Sequence, residues 1–157
     1  MGVTTKPNRL EKIRTWRGSV PVWHQYTLGL AGERFFRELK DRGRLMASRC
    51  PRCGAAYLLP KLYCPACFVA CEEWVEIKPR GVVDTFTVLH EGLEEEELKE
   101  PVVVAFVTFP GVKGGLVHRL GEVGRDGPAV GMEVEMVLRP ERRGGLDDIL
   151  YFRPVGK

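Results

Sequence analysis

The chain has 157 residues, of which 44% are hydrophobic and 29% are charged, and its formal net charge is +3. This length and composition fit one domain, or two small ones around a shared core, and exclude disordered, collagen-like and coiled-coil proteins. The longest apolar run, 102–109, is far shorter than the roughly 20 residues that a transmembrane helix needs. The first residues lack the apolar core of a signal peptide, so we expect a cytoplasmic protein without a membrane span.

The positive charge is concentrated in an N-terminal arm, residues 1–27. The arm carries five basic residues and one acidic residue, a net charge of +4, whereas residues 28–157 carry 19 basic and 20 acidic residues, a net charge of −1. The arm also contains Trp16 and Trp23. Two interpretations stay open: the arm folds back on the core of its own domain, or it docks on another protein, since aromatic and Arg side chains dominate interfaces.

A short helix is predicted over residues 29–42. Ala31, Phe35 and Leu39 recur every four residues and form an apolar stripe. Oppositely charged side chains four residues apart predict ion pairs on the exposed face, namely Glu33–Arg37, Arg34–Glu38 and Glu38–Arg42. Gly43 is placed to end the helix in the left-handed conformation.

Four of the five cysteines follow the pattern C-x2-C-x10-C-x2-C, at Cys50, Cys53, Cys64 and Cys67. Two such turns can bring four thiolates to one tetrahedral centre, which favours zinc and also fits a single iron. Disulfides are disfavoured because nothing suggests secretion, and a redox pair is disfavoured because the motif occurs twice without a βαβ unit. Four sulfur ligands leave no coordination position open, so the metal would be structural.

Two details of this segment stand apart from the zinc-ribbon pattern. Cys71 is not assigned as a ligand and is interpreted as a small core residue or a spare thiol. The second C-x-x-C turn ends in Phe68, where a glycine would turn more easily.

After Cys71 the pattern changes to strands. Segments 74–77 and 82–89 are interpreted as one long strand bent at Gly81, and 102–109, 116–120, 132–138 and 149–152 complete a set of five. Five strands predict a small barrel of the OB-fold type, although a sandwich or an SH3-like barrel has the same count. Residues 91–100 contain six Glu and one Lys, and we interpret them as a solvated loop or as a short helix that contacts a basic partner.

The sequence contains no convincing catalytic set. The three histidines are far apart, no nucleophile motif surrounds them, and the Gly-rich stretches lack the phosphate-loop pattern. A free-standing enzyme is therefore the least favoured function.

Single-stranded nucleic-acid binding, the usual use of an OB-fold, is an alternative. It is disfavoured because the Glu-rich segment would repel phosphates and because three barrel aromatics are interpreted as core: Phe86, Phe106 and Phe109.

A known family has these features in the same order. The helix FFRELKDRGRL leads into CPRCGAAYLLPKLYCPACF, which is followed by Trp74, DTFTVLHEG, PVVVAFVTF and VGMEVEMVL. With this combination, residues 26–155 resemble the zinc-ribbon plus OB-fold proteins long catalogued as a domain of unknown function. The resemblance implies a mainly β protein with an N-terminal arm and helix (1–49), a rubredoxin-like zinc ribbon (50–71) and a five-stranded OB-fold barrel (72–157).

Members of that family associate with thiolase-fold enzymes, and some with acyl-CoA hydratase-type partners, which hold the catalytic residues. The resemblance therefore implies a non-catalytic accessory subunit of a thiolase-type complex acting on an acyl-CoA, with a structural zinc. It also implies that the OB-fold lies near the partner's site, so that coenzyme A is shared with the partner. The candidate docking residues are Trp16, Trp23 and Phe35. The candidate contacts to the phosphates of coenzyme A are Arg139, Arg142 and Arg143.

Overall fold

The computed structural model describes residue 18 and residues 26–92, 97–124 and 127–156. Its regular elements are α1 (Gly29–Arg42), β1 (Leu45–Arg49), β2 (Ala56–Tyr57), β3 (Glu73–Ile77), β4 (Arg80–Glu91), β5 (Glu97–Thr108), β6 (Gly115–Leu120), β7 (Glu133–Leu138) and β8 (Ile149–Pro154). A 3₁₀ turn at Leu146–Asp148 precedes β8. No helix in the described stretches is long and apolar enough to cross a membrane.

Helix α1 has the bounds that the sequence predicts. The apolar stripe of Ala31, Phe35 and Leu39 is buried, and Gly43 ends the helix with a left-handed φ of 65°. The N–H of Gly43 donates to the Leu39 carbonyl at 3.0 Å, so the last turn is capped by the backbone. The local sequence was sufficient to predict this helix, because the apolar stripe, the spacing of the charges and the terminal glycine all indicate the same bounds.

Two of the three predicted ion pairs on α1 form, those of Glu33 with Arg37 and of Glu38 with Arg42. The third prediction is wrong, because the guanidinium of Arg34 lies 4.3 Å above the centre of the Trp74 ring. This cation–π contact joins the helix to β3.

The first sheet is the scaffold of the zinc-ribbon region and has the antiparallel order β2-β1-β3. Strand β3 pairs with β1 over its whole length, from Leu45 opposite Ile77 to Arg49 opposite Glu73. The interpretation of 74–77 as the start of the first barrel strand is therefore wrong. Strand β3 instead pairs with the edge of β1 that β2 leaves free. The first strand of the barrel is a separate one, β4.

The second sheet is a closed barrel with the order β4-β5-β6-β8-β7, and β7 returns to pair with β4. The pairing of β6 with β8 is parallel and the others are antiparallel. This arrangement confirms the predicted five-stranded OB-fold. Gly81 lies inside β4, and the register shifts of that strand fall at Asp84 and His90 instead.

The Glu-rich segment is part of a hairpin. Glu91, the last residue of β4, pairs with Glu97, the first residue of β5, and residues 97–100 are strand. The prediction of a loop or helix over 91–100 is thus wrong for Glu91 and for 97–100, because the ladder between β4 and β5 continues past the apolar pattern. Residues 93–96 lie outside the described part of the chain.

One hydrophobic core joins the helix, the first sheet and the barrel. Phe35 from α1, Leu45 from β1, Val83 from β4 and Phe152 from β8 are all fully buried in it. The first sheet is also bonded to the barrel through the backbone, since the N–H of Lys113 donates to the Ala56 carbonyl at 2.8 Å. The cysteine turns are therefore held in a defined position relative to the barrel.

Candidate metal centre and barrel cleft

The four predicted ligand cysteines lie on two turns of identical construction. In each turn the N–H of the first cysteine, Cys50 or Cys64, donates to the carbonyl five residues later. Its carbonyl accepts a bond from the N–H four residues later, and all four of these N···O distances are 2.9 Å. The two turns therefore present their thiols in the same way, as the two halves of a zinc ribbon do.

The four sulfur atoms lie within 4.8 Å of one another. The Sγ atoms of Cys53 and Cys64 are 3.8 Å apart. A tetrahedral centre with metal–sulfur bonds of about 2.3 Å separates its sulfurs by about 3.8 Å, so the spacing of Cys53 and Cys64 fits zinc and the group as a whole lies close to that geometry. Cys50 and Cys64 are buried, Cys67 is half-buried and Cys53 is exposed.

Tyr57 is a residue of this centre that the sequence did not indicate. Its hydroxyl lies 3.4 Å from the Sγ of Cys64. The hydrogen bond from Tyr57 lowers the pKa of Cys64 to about 6, and the same bond raises the pKa of Tyr57. Thiolate is the form that binds metals, so Tyr57 prepares Cys64 as a ligand.

Cys71 is buried next to the four cysteines but does not belong to their group. Burial raises the pKa of its thiol. Its N–H donates to the Leu62 carbonyl at 2.8 Å, which closes the base of the second cysteine turn.

A cleft of about 480 Å³ lies on the barrel beside β6. The side chain of His118 donates through its Nε2–H to the Leu146 carbonyl at 3.3 Å. Its Nδ1 and the Nε of Arg139 are buried and have no hydrogen-bond partner among the described residues. The cleft is lined by Val104, Val117, His118, Arg119, Arg139, Leu146, Asp147, Ile149 and Leu150. Apolar walls beside the guanidinium of Arg139 suit an anionic ligand that also has an apolar part.

The three predicted phosphate-binding arginines do not converge. Arg139 is half-buried in the cleft, with its guanidinium 3.9 Å from Asp147. The Nε of Arg142 donates to the Lys40 carbonyl at 2.6 Å, which directs this side chain to α1. Arg143 is exposed. Of the three, only Arg139 lines the cleft, together with two residues of β6 that the sequence pattern did not indicate as a site, His118 and Arg119.

Of the three predicted docking residues, the structure describes only Phe35. Phe35 is completely buried in the core, so its ring faces the inside of the molecule and is not available to a partner. This follows from the helical stripe, in which Phe35 is the central member. Trp16 and Trp23 lie outside the described residues.

Comparison with known proteins agrees with this geometry. Residues 37–72 match the family model for the rubredoxin-like zinc ribbon domain of ChsH2, and residues 74–139 match that for its C-terminal OB-fold domain. A DUF35 domain-containing scaffold protein of Methanocaldococcus jannaschii is 27% identical over 128 residues, which are 78% of this chain and 89% of the relative. A scaffold protein of the same description from Methanothermobacter thermautotrophicus is 27% identical over 121 residues, 76% of this chain and 90% of the relative.

Two solved structures share the fold. A protein of unknown function from the DUF35 family of Sulfolobus solfataricus is 34% identical, with a TM-score of 0.61, over 69% of this chain and 78% of that one. A chain of the Ltp2-ChsH2(DUF35) aldolase is 25% identical, with a TM-score of 0.63, over 84% of this chain and 100% of that one.

Proposed function

The chain belongs to the DUF35 family, and we propose that it is the non-catalytic accessory subunit of a cytoplasmic, thiolase-type complex acting on an acyl-CoA. The observation that carries the proposal is the likeness to the Ltp2-ChsH2(DUF35) aldolase. One chain of that aldolase matches this protein over its full length. The scaffold proteins among its relatives support a role without catalysis. The thiolase fold of the partner and the acyl-CoA follow from the family resemblance.

In this proposal Cys50, Cys53, Cys64 and Cys67 hold a zinc ion. Four thiolates saturate the ion, so it supplies folding free energy to the ribbon and leaves no position for a substrate or a water molecule. The catalytic groups would then belong to the partner subunit.

The barrel cleft is the part of the surface best suited to coenzyme A. Its apolar walls fit the pantetheine arm, and the partly exposed guanidinium of Arg139 can donate to a phosphate there. Arg142 and Arg143 are placed less well, because one is turned to α1 and the other is outside the cleft. The cleft would lie beside the partner's active site and close it on one side.

The test is co-expression with the thiolase-fold protein encoded nearest to this chain in its genome. We expect the two to co-elute in size-exclusion chromatography, and we expect thiolase activity to fall when this chain is omitted. Separate elution, together with full activity of the thiolase-fold protein alone, would overturn the proposal.

The alternative of single-stranded nucleic-acid binding is tested separately. A titration with a labelled oligonucleotide at two salt concentrations should show no micromolar, salt-dependent binding.

A further inference from the structure

One seam of the barrel, between β6 and β8, is largely open. The two strands run parallel, and among the described residues they pair only at Leu120 and Phe152. The N–H of Gly121 donates to the Phe152 carbonyl at 2.9 Å, at the point where the strands meet. On its other side β6 pairs with β5 at six positions. We call the open part of the seam, between residues 115–119 of β6 and 149–151 of β8, the β6–β8 gap.

The gap exists because the first residues of β8 turn away from β6. The neighbours Val137 and Leu138 of β7 pair with residues 151 and 149 of β8, so Leu150 is an extra residue between them. Such a bulge bends its strand and increases the local twist. The barrel cleft is lined by residues of β6, of β8 and of the 3₁₀ turn before β8, which places the cleft in this gap.

The gap leaves backbone groups of β6 without a strand beside them. Backbone groups of successive residues in a strand point alternately to its two edges. Because Gly121 directs its N–H to β8, the N–H groups of Val117 and Arg119 and the C=O of Val117 lie on the same edge. None of the backbone bonds between described residues joins these three groups to β8. Unpaired groups on a strand edge are a template for an added extended chain.

The side chains around this edge are apolar or basic. Val117 is 67% exposed, and Leu150 is exposed as well. The charged residues of the lining are Arg119, Arg139 and Asp147, which give the cleft a net charge of +1. A ligand that suits the gap is therefore extended, carries its own N–H and C=O groups, has apolar parts between them and bears negative charge.

The length of the free edge favours a small ligand over a strand of another protein. A strand commonly extends over about five or six residues, whereas the cleft contains only residues 117–119 of β6, with three backbone groups on the free edge. The pantetheine arm of coenzyme A is an extended chain with two amides, each of which has one N–H and one C=O. One end of this arm leads to phosphates, which match the basic lining.

We propose that the pantetheine arm of the acyl-CoA lies in the β6–β8 gap as an added strand, with its amides hydrogen-bonded to the backbone of Val117 and Arg119. This inference rests on the proposed function. It deepens that function by naming the part of coenzyme A that the cleft recognises and the backbone groups that recognise it.

The experiment removes one of these donors in the assembled, zinc-loaded complex. Val117→Pro deletes an N–H on the gap side, and the ladder with β5 keeps its bonds because residues 116 and 118 carry them. Val117→Ala is the matched control, since it trims the same side chain and keeps the N–H. We expect Val117→Pro to raise KM for the acyl-CoA at least about fivefold with kcat within about twofold of the parent, and Val117→Ala to stay within about twofold in both.

Hydrogen–deuterium exchange of the parent complex is a second measurement, which needs no variant. The N–H groups of Val117 and Arg119 should exchange at least about tenfold more slowly with saturating coenzyme A than without it, because a hydrogen-bonded amide is protected. Residues 97–100 of β5, which lie outside the cleft, should exchange equally fast in both states.

The alternatives give different results. Equal KM values for Val117→Pro and Val117→Ala, in complexes that assemble, would overturn the inference and leave the proposed function intact. If Val117→Pro does not fold, exchange at Val117 and Arg119 that is unchanged by coenzyme A overturns the inference. Slow exchange that is already present on assembly, before coenzyme A is added, would assign the gap to a strand of the partner and overturn it as well. A chain that does not bind the thiolase-fold subunit contradicts the proposed function itself.

Discussion

Asp148 is a buried carboxylate that organises one side of the barrel cleft. Its oxygens accept hydrogen bonds from the N–H groups of Arg143 and Gly144, at 2.6 and 2.7 Å. Burial acts to raise the pKa of Asp148, but the backbone donors outweigh it and hold the pKa below its usual value. The ionised carboxylate thereby fixes the turn that carries Leu146 and Asp147 into the cleft.

Replacing Asp148 with Asn should lower the free energy of unfolding by about 1–3 kcal/mol at neutral pH, because a charged acceptor of several backbone bonds is lost. Asp147→Asn is the matched control, since Asp147 is exposed and its ion pair with Arg139 is long, and we expect a change within about 0.5 kcal/mol. Urea unfolding of the three proteins at pH 7 gives both values.

The same residue predicts a dependence on pH. Because the folded pKa of Asp148 is lower than the unfolded value of about 3.9, its contribution is fully present above that value. It is lost as the pH falls through the folded pKa. The stability difference between the parent and Asp148→Asn should therefore shrink below about pH 4. A difference that stays constant between pH 7 and pH 3 would show that the charge of Asp148 contributes nothing.

At the scale of elements, the junction between the first sheet and the barrel depends on a close backbone approach at Gly114. Its φ is 91°, and a Cβ atom there would lie 2.0 Å from the Leu58 carbonyl oxygen. The neighbouring N–H of Leu58 donates to the Lys113 carbonyl at 3.0 Å, so the two chain segments cannot separate without losing this bond.

Gly114→Ala should therefore destabilise the protein more than Gly111→Ala does. Gly111 also has a left-handed φ, 77°, but a Cβ atom added to it would have no neighbouring atom within 4 Å. The backbone conformation costs both variants about 1 kcal/mol, and only Gly114→Ala adds a steric cost of about 1–3 kcal/mol. Equal urea midpoints for the two variants would show that the junction can open at little cost.

The zinc-ribbon assignment is tested by comparing two cysteines of this region. Cys53→Ser changes an exposed member of the group of four, and we expect the zinc content to fall well below one ion per chain. Cys71→Ala changes the buried cysteine outside the group and should retain the metal. Metal analysis of the purified proteins measures both, and it also distinguishes zinc from iron. Loss of metal in Cys71→Ala alone would contradict the assignment.

At the scale of the whole molecule, the sequence predicts what depends on local pattern. The cysteine spacing identifies the metal centre, and the alternation of apolar residues identifies the barrel strands, because each signal lies within a few residues of chain. The pairing of β3 with β1 escaped prediction because a five-residue apolar pattern does not specify which strand lies beside it. The roles of Tyr57 and Asp148 could not be predicted either, since both depend on contacts made only in the folded chain.

The shared core has a consequence for how the molecule would act in a complex. Helix, first sheet and barrel are packed on the same buried side chains, including Phe35, Leu45 and Phe152. The first sheet with its cysteine turns and the barrel cleft are thus held at a defined separation, and docking of one on a partner would set the position of the other.

Arg139→Ala in the assembled complex tests this relation. If the cleft contributes to binding of coenzyme A, loss of the guanidinium should raise KM for the acyl-CoA about tenfold and leave kcat nearly unchanged, since a contact present equally in ground and transition states affects binding alone. Arg80→Ala is the control, because Arg80 is exposed on the barrel outside the cleft and its ion pair with Glu135 is long, 3.9 Å. A fall in kcat with unchanged KM would instead mean that Arg139 acts on the partner's catalytic groups, and no change in either constant would place coenzyme A away from the cleft.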